Sequence, residues 1–133
     1  MEMESKIEKS LRFGDKMVLE SRSPVSRYAV AFEDDGGTGY FYALDTTGNN
    51  QSILDALHIY DVASALGKPS PSKLQIIWST DGLKSALLIN GHPHAVFDFL
   101  ARSGCCRNNF PPPRGEWSKN GHAWDENALK PFK

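Results

Sequence analysis

Lys73 to Phe99 reads KLQIIWSTDGLKSALLINGHPHAVFDF, and two turn signals divide it into three runs of β character. Leu74, Ile76 and Trp78 alternate onto one face, with the period of two that a pleated strand requires. Ser79-Thr80-Asp81-Gly82 closes the first turn, with Gly82 free to adopt positive φ. Leu83, Ser85, Leu87 and Ile89 then alternate with Lys84, Ala86, Leu88 and Asn90. Asn90-Gly91 is a type I′ pair, whose twist matches that of two antiparallel strands. Beyond it, Ala95, Phe97 and Phe99 share one side of the chain, and His94, Val96 and Asp98 the other. Pro93 has no N–H, so it belongs at a strand start or on an edge. The consecutive Leu87, Leu88 and Ile89 imply a middle strand covered on both faces. The segment is therefore an antiparallel three-stranded meander.

A second hairpin precedes it. Tyr28, Val30 and Phe32 alternate with Ala29 and Ala31, EDDGGTG at 33–39 makes the turn, and Tyr40 to Leu44 returns. Lys16 to Ser21 reads as a short strand, followed by a loop around Pro24. Ile53 to Leu66 fits a strand over Leu57–Val62 followed by a helical turn, and also fits a helix, because a short apolar run does not separate the two periods. Residues 1–15 read as a flexible N-terminal segment, with one or two helical turns suggested by Ile7 and Leu11. In the tail, LARSGCCR suggests a helical turn. Pro111 to Pro113 suggest an extended polyproline piece pinned to the core by Phe110 and Trp117. Near the end, Asp125 is placed as a helix N-cap, Trp124 and Leu129 as a hydrophobic staple, and Pro131 as the stop. The fold class expected is mainly β, or α+β if 53–66 is helical. Six or so strands would pack as a small barrel or sandwich, with short terminal helices.

The 133 residues fit one domain, 1–133, and that length supports a core without covalent staples. A net charge of −1 supplies no basic field for phosphates, so nucleic acid is not an expected partner. No apolar run approaches the ~20 residues that span a bilayer, and MEMESKIEKS lacks the apolar core of a secretory signal. The expected compartment is the cytoplasm, without membrane attachment. Cys105 and Cys106 are the only cysteines and are adjacent, which suits two reduced thiols in a reducing compartment. The oligomeric state is not specified, and no cofactor is implied.

The sharpest chemical pattern is His92-x-His94-x-x-x-Asp98. On an unbroken strand these side chains share a face, and two imidazoles with a carboxylate can hold a metal with open positions. The spacing is similar to the first motif of the cupin superfamily, H-x-H-x3-E. However, Asp98 replaces Glu, Ala86 stands where that motif has glycine, and no second motif follows. The simpler reading is that His92 and His94 are polar residues at a hairpin tip and that Asp98 faces solvent. The acidic turn Glu33-Asp34-Asp35 offers oxygens to a hard cation or is simply a solvated turn. Cys105 with His94 or His122 would make a thiolate–imidazole pair, without a local signature to support it. Tyr40-Phe41-Tyr42 with Trp78 could stack bases, but without a basic field they read as core. Pro111–Pro113 could be read by an aromatic groove of a partner.

Taken together, YAVAFEDDGGTGYFYALD, ILDALHIYDV and IIWSTDGLKSALLINGHPHAVFDF resemble a bacterial family of small proteins catalogued only as a domain of unknown function. The resemblance runs from about Tyr28 to Trp124. It implies a small bacterial, cytoplasmic, single-domain protein and carries no catalytic residues with it. Three functional expectations follow from the residues. The first is a non-catalytic protein-binding domain, of immunity or adaptor type. The second is a cupin-like metal enzyme using His92, His94 and Asp98. The third is a ligand-binding barrel with an aromatic interior from Tyr40, Tyr42, Trp78 and Phe97.

Overall fold

The computed structural model describes residues 6–48, 51–65, 71–113 and 115–132. In chain order the elements are β1 (Lys6–Leu11), β2 (Met17–Arg22), β3 (Tyr28–Asp34), β4 (Thr38–Asp45), β5 (Ser52–Asp61), α1 (Val62–Ala65), β6 (Ser72–Trp78), β7 (Lys84–Ile89), β8 (His92–Asp98), β9 (Ser103–Cys106) and a 3₁₀ helix, Glu126–Phe132. A five-stranded sheet has the order β1-β6-β7-β8-β9 and a four-stranded sheet the order β2-β3-β4-β5. All pairs are antiparallel. The two sheets pack face to face as a sandwich, and neither closes into a barrel.

The meander forms as its alternation dictates. Leu74, Ile76, Trp78, Leu87 and Phe97 are fully buried between the sheets, against Val30, Phe32, Phe41 and Leu57 of the four-stranded sheet. Asn90 (φ 52°) and Gly91 (φ 79°) make the two-residue turn between the paired Ile89 and His92. The turn at Gly82 (φ +70°) docks on the β2–β3 loop, where the Ser23 and Ser26 hydroxyls donate to the Gly82 carbonyl at 2.8 and 3.0 Å. Ala86, Leu88 and Val96 point away from the core and are covered by Trp124, Ala128, Leu129 and Phe132. The middle strand is thus covered on both faces. Asp125 Oδ1 accepts the Asn127 N–H at 2.9 Å, the capping role expected of it. Pro131 lies inside the 3₁₀ helix and does not end it.

Three local expectations are corrected. Lys6–Leu11 is not helical but pairs along its length with β6; residues 1–5 lie outside the described part. Ser103–Cys106, expected in a helical turn, is β9, paired with β8. Its Gly104 lies under the Phe97 ring, where a Cβ would sit 2.8 Å from ring carbons. Residues 53–61 are strand throughout, so the helical alternative for 53–66 does not form, and α1 is a single turn.

Candidate functional site

β8 does not keep the period that would align His92, His94 and Asp98. A bulge intervenes: Leu87 pairs with Ala95 but Leu88 with Pro93, which leaves His94 as the extra residue. His92 lies opposite Ile89 and Asp98 opposite Lys84. These partners are five residues apart on β7, an odd number, so the two side chains take opposite faces. The His92 and His94 rings meet edge to face at 5.2 Å and line a hollow with Phe13, Ile59 and Tyr60. Asp98, at the other end of the strand, accepts the Ala101 N–H at 3.0 Å. Among the described residues no group of three or more His, Cys, Asp or Glu side chains is gathered to hold a metal.

Two of the three carboxylates of the acidic turn, Asp34 and Asp35, are engaged internally. Asp34, only 1% exposed, accepts from Gly14 N–H, Gly36 N–H and the Tyr60 hydroxyl. It is therefore a buried anchor rather than a solvated turn residue. Asp35 accepts from Gly37 and Thr38 N–H groups, which hold its carboxyl below the usual carboxylate range. Cys105 packs in the cluster under the 3₁₀ helix and Cys106 in the main core, because neighbours on a strand face opposite ways. Burial raises both thiols, which suppresses the thiolate. Trp78 and Phe97 are buried core residues, whereas Tyr40 and Tyr42 lie on the outer face of the four-stranded sheet. The four therefore do not share an interior.

A polar set that sequence reasoning missed is centred on Asp55. The His122 ring, 1% exposed, donates through Nε2 to both Asp55 oxygens at 3.0 Å and through Nδ1 to the Pro111 carbonyl. Ser118 Oγ donates to Asp55 Oδ2 at 2.6 Å and accepts the Gly104 N–H at 2.8 Å. Burial opposes a charged imidazole, but the Asp55 carboxylate and the Pro111 carbonyl outweigh it and raise the His122 pKa. With both ring nitrogens facing acceptors, the arrangement favours the imidazolium form of His122. The set holds a serine, a histidine and an aspartate, yet Asp55 sits in the middle. The serine hydroxyl therefore has no imidazole base beside it, as nucleophilic activation would require. Its effect is to clamp the 107–122 strap against β5 and β9. His122 was visible only as a possible partner of Cys105, and nothing in the spacing of Asp55, Ser118 and His122 ties them together.

The same strap borders a cleft of about 430 Å³, lined by Tyr40, Leu54, Phe110, Pro111, Trp117 and His122 among others. Trp117 is buried, as expected, but Phe110 is 49% exposed rather than pinned to the core. Tyr40 stacks on Tyr42 at 5.9 Å, and the His58 ring meets Tyr40 and Phe110 edge to face. His58 is also held by Asp61 at 3.0 Å and by the Asn108 side chain. Glu20 and Glu33 lie in the same two cross-strand rows as Tyr42 and Tyr40. The four-stranded sheet thus presents a partly exposed aromatic face that also carries Glu20, Glu33 and Arg22. No helix among the described residues is long and apolar enough to cross a membrane.

Residues 11–133 match the model of the family described as "Uncharacterized protein conserved in bacteria (DUF2251)". An uncharacterised protein of Haemophilus influenzae is 46% identical over 108 residues, which cover 80% of this chain and 67% of that protein. No solved structure matches. The chain belongs to the DUF2251 family of bacterial proteins.

Proposed function

We propose that this protein is a non-catalytic protein-recognition domain that binds through the outer face of its four-stranded sheet. One observation carries the reading: the two sheets are finished differently. The five-stranded sheet has its outer face covered over β7, β8 and β9 by Trp124, Ala128, Leu129 and Phe132 of its own chain. The four-stranded sheet leaves the Tyr40–Tyr42 stack partly exposed, with Val18 60% and Ile53 66% exposed. Aromatic side chains supply large contact area at small entropic cost, and they dominate the energetics of protein interfaces. Glu20, Glu33 and Arg22 on the same face offer ion pairs of both signs, and the tyrosines can take cation–π contacts from a partner's arginine or lysine. An immunity-type or adaptor protein would act in this way. The self-satisfied Asp55 set supports scaffolding rather than turnover.

The test is affinity capture from the native host with the wild-type chain and a Tyr40→Ala/Tyr42→Ala variant of equal thermal stability. The expected result is one stoichiometric partner on the wild type, lost from the variant. Capture of the same partner by both proteins, or by neither, would contradict the reading.

A further inference from the structure

From the unpaired rim of β5, we infer that the cleft beside Ile53–Ala56 receives an extended, uncharged peptide segment, which adds as a short strand and places a carbonyl on the Trp117 indole N–H. The inference rests on the protein-recognition reading and names the part of the partner that enters this cleft. β5 is an edge strand of the four-stranded sheet. Its rim is closed at His58, whose N–H donates to the Phe110 carbonyl at 2.8 Å. The neighbouring rim donor, the Ala56 N–H, is held by Asp55 Oδ1 at 3.0 Å. Ser52 to Asp55 have no backbone partner on this side among the described residues, and Leu54 is the extra residue of a bulge opposite Ala43 and Leu44.

The strap facing them runs through Pro111, Pro112 and Pro113. Prolines have no N–H to donate, so the strap does not complete the ladder, and a gap is left between two walls. Trp117 lines that gap and is 7% exposed. Its indole N–H has no hydrogen-bond partner among the described residues, yet no buried side-chain polar atom is left unsatisfied. The N–H therefore keeps some solvent contact, and Trp117 lines the cleft, so a ligand there is within reach of it.

The chemistry of the walls selects the occupant. Phe110, Tyr40 and Leu54 supply apolar and aromatic surface. Among the described lining residues the charged ones are Asp55 and His122, which are paired with each other, so these two leave no unpaired charge to draw a charged segment. An extended backbone answers the exposed strand rim with main-chain hydrogen bonds, and alternate apolar side chains answer the aromatic walls.

The experiment selects peptides from a displayed library of unstructured 12-residue sequences against the full chain. Binding is then measured by ¹H–¹⁵N correlation spectra and titration. The expected result is enrichment of neutral, apolar sequences that shift the Trp117 indole N–H and the Leu54 amide. They should bind at least tenfold more weakly to Trp117→Phe, which keeps an aromatic side chain, though a smaller one, and loses the donor. A peptide N-methylated at alternate positions should lose binding as well. Absence of enrichment, undiminished binding to Trp117→Phe, or shifts confined to the five-stranded sheet would overturn the inference. If Trp117→Phe still captures the host partner while Tyr40→Ala/Tyr42→Ala does not, peptide entry falls and the recognition reading stands. If both variants capture it unchanged, both fall.

Discussion

Replacing His122 with alanine is expected to lower folding stability by ~3–5 kcal/mol, the usual loss when one partner of a buried charge pair is removed. The magnitude follows from what is left behind. Asp55 has a side chain only 7% exposed and would keep only the Ser118 hydroxyl and the Ala56 N–H as donors. Urea unfolding of the two proteins measures the difference. A loss below ~1 kcal/mol would show that the pair does not behave as a buried ion pair. The pair also sets a pH dependence. The folded His122 pKa is raised above its unfolded value near 6.5. Its stabilisation is therefore complete below about pH 6.5 and is lost as pH rises through the folded pKa. Wild-type stability should fall with rising pH in this window, and His122→Gln should lack that component. Parallel curves for the two proteins would contradict the assignment.

Gly82→Ala is expected to cost ~2–5 kcal/mol. An alanine at φ +70° carries the left-handed penalty of ~1–2 kcal/mol. Its Cβ would also lie 2.3 Å from Val25 Cγ2 and 2.5 Å from Ser23 Oγ, and overpacking adds ~1–3 kcal/mol. Val25 is exposed and can turn aside, but Ser23 is fixed by its bonds to Gly82, Val25 and Ser26. Gly91→Ala is the internal control. Its φ is +79° with nothing within 4 Å of the added atom, so only the conformational cost applies. Thermal melts should place Gly82→Ala well below Gly91→Ala. Equal melting temperatures would mean that the contact between the two loops is not tight.

The meander was legible because its alternation and turn chemistry agree. Leu74, Ile76 and Trp78 need one face, and Asn90-Gly91 permits one turn type. β1 was not legible for a definite reason. Its apolar residues Ile7 and Leu11 are four apart, and four positions return to the same face in a helix and in a strand alike. β9 was hidden by Gly104, which reads as a helix stop until the cross-strand Phe97 ring is seen to cover it. The bulge at His94 has no side-chain signature beyond the neighbouring Pro93, and it is enough to put His92 and Asp98 on opposite faces. Asp55, Ser118 and His122 meet only because β5 and the strap are brought together across more than sixty residues of chain. Sequence periodicity carries no information at that separation.

Amide hydrogen exchange on the complex of this protein with its captured partner tests the central claim most directly. The recognition reading predicts slowed exchange over Gly39–Ala43 and Ile53–His58, with the Trp124–Phe132 face unchanged. Protection confined to the 3₁₀ helix and the outer face of the five-stranded sheet would contradict it.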